Sequence, residues 1–338
     1  MKVLIFSDRD PIKFQSKRQL LWLVEFFNTN INNVSLNFAE STDYDEEEYD
    51  CILIHGYDFK NIKVIKKRNK KSKLLLINPG LITEIRELNI LSKKGLKAFV
   101  QKKHIEKNID GIIVRSKPWK DIVEKNIDVP VYQWIDFEEK VYDVSKKGIK
   151  KSPTIIGYHG NPYHIENSFK YCLSEALEML NKRCEFEFHI LTNEVSSLKN
   201  IITGSFSIKF FEYANVDFEN VINNFDIGVT PTMTSRESIE ETSVLIRNAN
   251  RTISLLARGI PSITSPLPQS VIDLENNIHT IYAITAKEWF DSFIKLIEDE
   301  NFYNTIRDSG YKLVKNKFLV DTAGEELTKI IESVLNEK

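Results

Sequence analysis

Only three cysteines, Cys51, Cys172 and Cys184, are scattered through 338 residues. With an odd count, no CxxC pair and no Cys/His cluster, neither a disulfide framework nor a structural zinc site is expected. Reduced thiols are predicted instead. No run of about 18 apolar residues occurs, so no membrane-spanning helix is predicted. The apolar stretch Val3 to Phe6 is too short for a signal sequence, and any membrane contact is expected to be peripheral. GxxxxGK[ST] is absent, which removes a P-loop. No GxGxxG follows either opening strand, which weakens a nicotinamide or flavin reading. No GxSxG nucleophile elbow occurs. Low-complexity segments and short-period repeats are missing too. A net charge of −2 argues against a general nucleic-acid binder.

What is present is an alternation of strands and helices, given twice. Hydrophobic content of 42% and charged content of 28% are those of an ordinary soluble protein, and the length suits two domains, each with its own core. One buried-type strand opens the chain (KVLIFSD, from Lys2) and another opens its second half (TIIGYHGN, from Thr154). Alternation of this kind predicts two parallel, doubly wound sheets, which take ligands at their carboxyl edges. A cleft between two such domains is the expected active site. Charge is uneven. Asp43 to Asp50 (DYDEEEYD) is acidic, whereas Lys60 to Lys73 (KNIKVIKKRNKKSK) carries no acid, and a second basic stretch spans Lys93 to Lys107. Both basic stretches read as solvated helix faces or as a surface for an anionic membrane or acceptor.

In the first half, strands are expected near 2–6, 34–38, 50–56, 73–77, 111–115 and 129–134. Helices are expected over 15–27, 59–70, 82–108 and 118–126. A polar, lysine-rich linker is expected over 137–153, so the domains are 1–136 and 154–316, with a C-terminal helix over 317–338 packing back on the first domain. In the second half, strands are expected at 154–159, 185–191, 207–212, 225–230, 261–265 and 278–283. Helices are expected at 164–181, around 195–202, and at 217–224, 240–258, 286–316 and 320–337.

Five segments, taken in order, resemble the GT-B class of glycosyltransferases, most closely the glycosyltransferase family 4 superfamily. They are Ile109 to Ser116 (IDGIIVRS), Val129 to Phe137 (VPVYQWIDF), Ile156 to Gly160 (IGYHG), Phe225 to Pro231 (FDIGVTP) and Asn250 to Ser265 (NRTISLLARGIPSITS). The resemblance covers nearly the whole chain. It implies an N-terminal acceptor domain and a C-terminal domain for a nucleotide-sugar donor. By position it gives Arg251, with Arg247, the role of holding the donor diphosphate. Arginine suits phosphate through its planar fork of donors, and a spacing of four puts both side chains on one face if 240–258 is a single helix. Gly157, Gly160 and Asn250 fall on the donor side by the same alignment. Family 4 carries two glutamates in an E-x7-E pattern. Here the second falls at Ser254, and Glu237, Glu240 and Glu241 lie upstream of it. The glycine-rich loop expected after the first strand is replaced by Ser7-Asp8-Arg9-Asp10-Pro11.

His159 and His164 flank a turn at a strand end. His159 is expected to face the donor, and Asn161 to cap the next helix or meet the donor. On the acceptor side stand Asp8, Asp10, His55 and Asn78. Asp8 or His55 would serve as the base that an inverting transfer needs, while a retaining transfer would need none. No DxD-like pair stands on a suitable loop, so no obligatory metal or cofactor is expected beyond the nucleotide-sugar substrate.

The expected function is a cytoplasmic, metal-independent glycosyltransferase, a hexosyl- or related transferase of bacterial surface polysaccharide synthesis. It would act on a glycan or lipid-linked acceptor, with Lys60 to Lys73 near the inner face of an anionic membrane. Two rivals stand beside it: a non-catalytic GT-B module that binds glycan or scaffolds a partner transferase, and a GT-B sugar-nucleotide epimerase.

Overall fold

The computed structural model describes residues 1–8, 15–31, 33–44, 48–78, 93–144, 153–232 and 242–336. The chain divides into two compact units. The first is Met1–Glu139 together with Val320–Lys338, and the second is Lys140–Leu319.

In the first unit β1 (Lys2–Phe6), β2 (Ser35–Ala39), β3 (Cys51–His55), β4 (Lys73–Ile77), β5 (Gly111–Val114) and β6 (Val131–Gln133) form one sheet in the order β2-β1-β3-β4-β5-β6, with every pairing parallel. Every residue of β3 and β5 is buried, as expected of strands covered on both faces. Helices α1 (Gln15–Asn30), α2 (Phe59–Arg68), α3 (Lys93–Asn108) and α4 (Lys117–Asn126) connect the strands. Asp58 caps α2 by accepting from the Asn61 N–H, and Ser116 caps α4 by accepting from the Trp119 N–H. Residues 82–92 of the expected long helix lie outside the described residues.

The second unit has the same plan. Strands β7 (Thr154–His159), β8 (Phe186–Thr192), β9 (Ser207–Glu212), β10 (Ile227–Thr230), β11 (Ser262–Thr264) and β12 (Ile281–Tyr282) are parallel in the order β12-β11-β10-β7-β8-β9. In both sheets the first strand of the unit lies inside, with later strands added to either side. That arrangement creates a switch point at the carboxyl edge. The helices are α5 (Pro162–Ser168), α6 (Ser174–Asn181), α7 (Phe218–Ile222), α8 (Thr242–Leu245), α9 (Asn250–Ala257), α10 (Pro268–Asp273), α11 (Ala286–Glu298) and α12 (Glu300–Lys317). The last helix, α13 (Val320–Asn336), belongs to the first unit. Leu327, Ile331 and Val334 enter its core beside Leu20, Leu23 and Phe27, and Trp134 Nε1 donates to the Ala323 carbonyl at 2.8 Å.

Several expected elements are divided. The helix over 164–181 starts at Pro162 and contains a π-helical stretch, Phe169–Leu173, between α5 and α6. The helix over 286–316 breaks at Asp299, which ends α11 and caps α12 through the Phe302 N–H at 2.9 Å. Residues 195–202 form turns that bond back to the Val195 and Leu198 carbonyls, too short a run to repay helix nucleation. The strand over 278–283 shortens to β12, preceded by an isolated bridge from Asn276 to Thr280.

The helix over 240–258 is two helices. Asn250 Oδ1 accepts the Arg251 N–H at 2.8 Å, local competition that favours a helix start. Arg247 therefore lies in the connection between α8 and α9, and the shared-face argument for Arg247 and Arg251 does not apply. Part of the segment read as linker is packed. Phe137 is in the core of the first unit, whereas Tyr142 donates its N–H to the Ala257 carbonyl at 3.0 Å in the second.

Candidate functional site

The carboxyl ends of β7 and β10 and the start of α9 meet in the second unit. β7 ends in His159, and Gly160 follows with φ +148°, a conformation that L residues rarely adopt. A Cβ on Gly160 would stand 2.8 Å from the Tyr158 hydroxyl and 3.0 Å from Arg251 Cδ, so glycine lets the turn close over these groups. Asn161 caps α5, accepting from the Tyr163 N–H at 3.1 Å.

Arg251 reaches across this turn. Its guanidinium donates to the Tyr158 hydroxyl and to Thr232 Oγ1, both at 3.2 Å, and its Cζ stands 5.9 Å from the Tyr158 ring centre. The Tyr158 hydroxyl in turn donates to the Asn161 carbonyl at 2.8 Å. Burial pushes the Tyr158 phenol up, although Arg251 and Arg247 pull against it. Among the described residues Arg251 forms no ion pair. Arg247 places NH1 2.5 Å from His164 Nδ1. Burial, with repulsion from Arg251, brings the Arg247 guanidinium down to about 10. Burial, then Arg251 and Arg247, hold the His164 imidazole down at about 2, so it is neutral. Two guanidiniums and a neutral imidazole thus share one strand edge, with the N-terminal N–H groups of α9 beside them. This arrangement is suited to an anion.

Other residues expected on the donor side are placed differently. His159 is 2% exposed, with Nε2 3.2 Å from the Arg251 carbonyl and its ring edge-on to Phe218. Gly157 has a packing reason, since a Cβ there would stand 2.0 Å from Phe225. Ser254 is buried in α9, and its hydroxyl accepts from Arg258 at 2.9 Å. Arg258 is itself 2% exposed. It forks onto Glu219 at 2.7 and 3.0 Å and bonds the Tyr142 hydroxyl at 2.9 Å. The Ser254 hydroxyl is thus engaged by Arg258 inside the unit. Glu237, Glu240 and Glu241 lie outside the described residues.

In the first unit, the carboxyl ends of β1 and β3 bring Ser7 and His55 together, with Ser7 Oγ 2.9 Å from His55 Nδ1 and both side chains buried. Asp8 is exposed and accepts from Asn61 Nδ2 at 3.1 Å. Asn78 follows β4 with φ +48°, a left-handed conformation that asparagine tolerates. Asp10 lies outside the described residues. Much of the basic run is engaged: Arg68 donates to the Thr42 and Tyr44 carbonyls, and Lys66 and Lys73 flank Asp110. Lys60, Lys63, Lys67 and Lys70 remain exposed. Among the described residues no helix is long and apolar enough to cross a membrane. Nor do three His, Cys, Asp or Glu side chains gather there as a metal site would require.

The sequence matches no family model and no curated protein. Solved structures do match over the full chain. Sucrose-phosphate synthase from Thermosynechococcus elongatus shares 10% identity with a TM-score of 0.70, covering 100% of each chain. A glycosyltransferase from Rickettsia africae shares 12% identity with a TM-score of 0.70, covering 100% of this chain and 99% of that one. Anabaena HepE, solved with UDP and glucose, shares 11% identity with a TM-score of 0.67, covering 98% of this chain and 100% of that one. With its two parallel six-stranded sheets, the chain has the GT-B fold.

Proposed function

We propose that this protein is a glycosyltransferase that holds a nucleotide-diphosphate sugar in its second unit and transfers the sugar to a hydroxyl of a glycan or lipid-linked glycan. The observation that carries the reading is the cluster of Arg251, Arg247 and His164 at the carboxyl edge of β7 and β10, beside Gly160. UDP is the nucleotide to test first, because HepE was solved with UDP-glucose and a pneumococcal O-GlcNAc transferase with UDP and GlcNAc.

In this reading the guanidiniums take the negative charge that grows on the departing diphosphate, which is stronger help in the transition state than in the bound substrate. Asp8 is the better acceptor base of the two candidates. It is exposed at the β1 edge, whereas His55 is buried against Ser7. Family 4 membership, a role in surface polysaccharide synthesis and a cytoplasmic site of action belong to the same proposal. So does contact with an anionic membrane, for which Lys60, Lys63, Lys67 and Lys70 are available.

Thermal stabilisation by UDP, GDP, ADP, dTDP and CMP, for wild type beside Arg251→Ala, tests the reading. A nucleotide at 100 times its Kd adds about 2.7 kcal/mol to a folded protein. One diphosphate is expected to stabilise wild type and to lose most of that effect in Arg251→Ala. If no nucleotide stabilises well-folded wild type, the transferase reading gives way to a non-catalytic module.

A further inference from the structure

We infer that His164 takes up a proton when an anion occupies the Arg247–Arg251 cluster, and so becomes a third positive ligand of that anion. The inference rests on the proposed donor site and adds a residue and a pH dependence to it.

Without an anion, the geometry requires a neutral imidazole. Arg247 NH1 lies 2.5 Å from His164 Nδ1 and 3.2 Å from Nε2. A guanidinium has only donors, so the nitrogen it approaches must be an unprotonated acceptor. Among the described residues, Arg247 from the α8–α9 connection, Arg251 from α9 and Tyr163 from α5 face the ring, and Tyr158 from β7 acts on Arg247. Both arginines oppose a positive imidazole, and neither tyrosine supplies a negative charge near neutral pH. His164 is fixed in place at the start of α5, where its N–H donates to the Asn161 carbonyl at 3.1 Å and its own carbonyl accepts from Ser168 Oγ at 2.8 Å.

A dianion reverses the balance. It accepts the Arg247 donors, which frees the imidazole nitrogen, and it offsets both guanidinium charges. The imidazole then faces a negative group from a fixed position and binds a proton from solvent, with no other covalent bond made or broken. Because the free and bound states hold different numbers of protons on His164, affinity is linked to pH. With the bound imidazole near its ordinary pKa of about 6.5, affinity rises about tenfold between pH 7.5 and pH 5.5.

Two probes that do not titrate in this range test the inference: inorganic sulfate and UDP-glucose. Nitrogen-15 histidine spectra of the full chain report the protonation state of the His164 ring, assigned by comparison with His164→Gln. The ring is expected to be neutral at pH 5.5 in the free protein and imidazolium with saturating sulfate or UDP-glucose. Wild-type affinity should then rise about tenfold from pH 7.5 to 5.5, while the affinity of His164→Gln stays within about twofold. A ring that stays neutral with the anion bound, or is already charged without one, overturns the inference. So does the same pH slope in His164→Gln, or failure of both probes to bind. If sulfate charges His164 but UDP-glucose does not bind, the proton uptake stands and the donor reading fails.

Discussion

Replacing Arg251 by glutamine should separate binding from stability. In the unliganded protein the Arg251 guanidinium makes two long bonds, to the Tyr158 hydroxyl and Thr232 Oγ1, both at 3.2 Å and both to neutral partners. Losing them costs about 1 kcal/mol each. Arg251 also repels Arg247 and opposes a charge on His164. Relief of that repulsion returns roughly 1–2 kcal/mol at an effective dielectric near 20. The two effects nearly cancel, so Arg251→Gln is expected to unfold within about 1 kcal/mol of wild type in urea without ligand. Bound diphosphate shifts the balance, because a charge-assisted bond to phosphate is worth about 1.5–3 kcal/mol. UDP affinity measured by calorimetry should therefore fall about 10- to 150-fold. If the variant loses more than about 3 kcal/mol of unliganded stability, Arg251 is a structural residue, as buried ion-pair partners are. If it binds UDP as tightly as wild type does, the anion site lies elsewhere.

The neutral His164 also makes stability depend on pH. Its folded pKa of about 2 lies below the ordinary value, so the unfolded chain binds the extra proton. That stability is complete above about pH 6.5 and falls as pH drops, by about 2 kcal/mol at pH 5, a loss that denaturant melts of His164→Gln should not show. Glu219→Ala should cost about 3 kcal/mol, because it removes the carboxylate paired with the Arg258 guanidinium, which is 2% exposed. Arg258→Met should cost less, because the Glu219 side chain is 38% exposed and can turn to water; a double-mutant cycle in urea that reverses this order refutes the argument. Gly157→Ala should lose about 1–3 kcal/mol in the same melts, since the added methyl meets Phe225 at 2.0 Å.

Local patterns in the sequence locate the strands well. The apolar cores of β3, β4 and β7 lie where periodicity places them, and the switch-point plan follows from strand–helix alternation. Partnerships between distant residues are another matter. Arg247 meets His164 across 83 positions and Arg251 meets Tyr158 across 93, and no local spacing encodes such pairs. His159 is the more obvious histidine from its place at a strand end, yet its ring turns to Phe218 and the Arg251 carbonyl, and His164 is the one beside the arginines. Tyr158 and Thr232 escape a motif reading, because only the fold shows that their hydroxyls point to one guanidinium. The break before α9 has a local signal in Asn250, whose side chain takes the next N–H. Arg258 reads as an ordinary helix arginine until Glu219, Ser254 and Tyr142 are seen around it.

Hydrogen exchange with and without saturating UDP most directly tests where the nucleotide binds. The account predicts the strongest protection at residues 158–165 and 247–253, the two segments that carry Tyr158, His164, Arg247 and Arg251. Strongest protection around Ser7 and His55 in the first unit, or no protection anywhere, would contradict it.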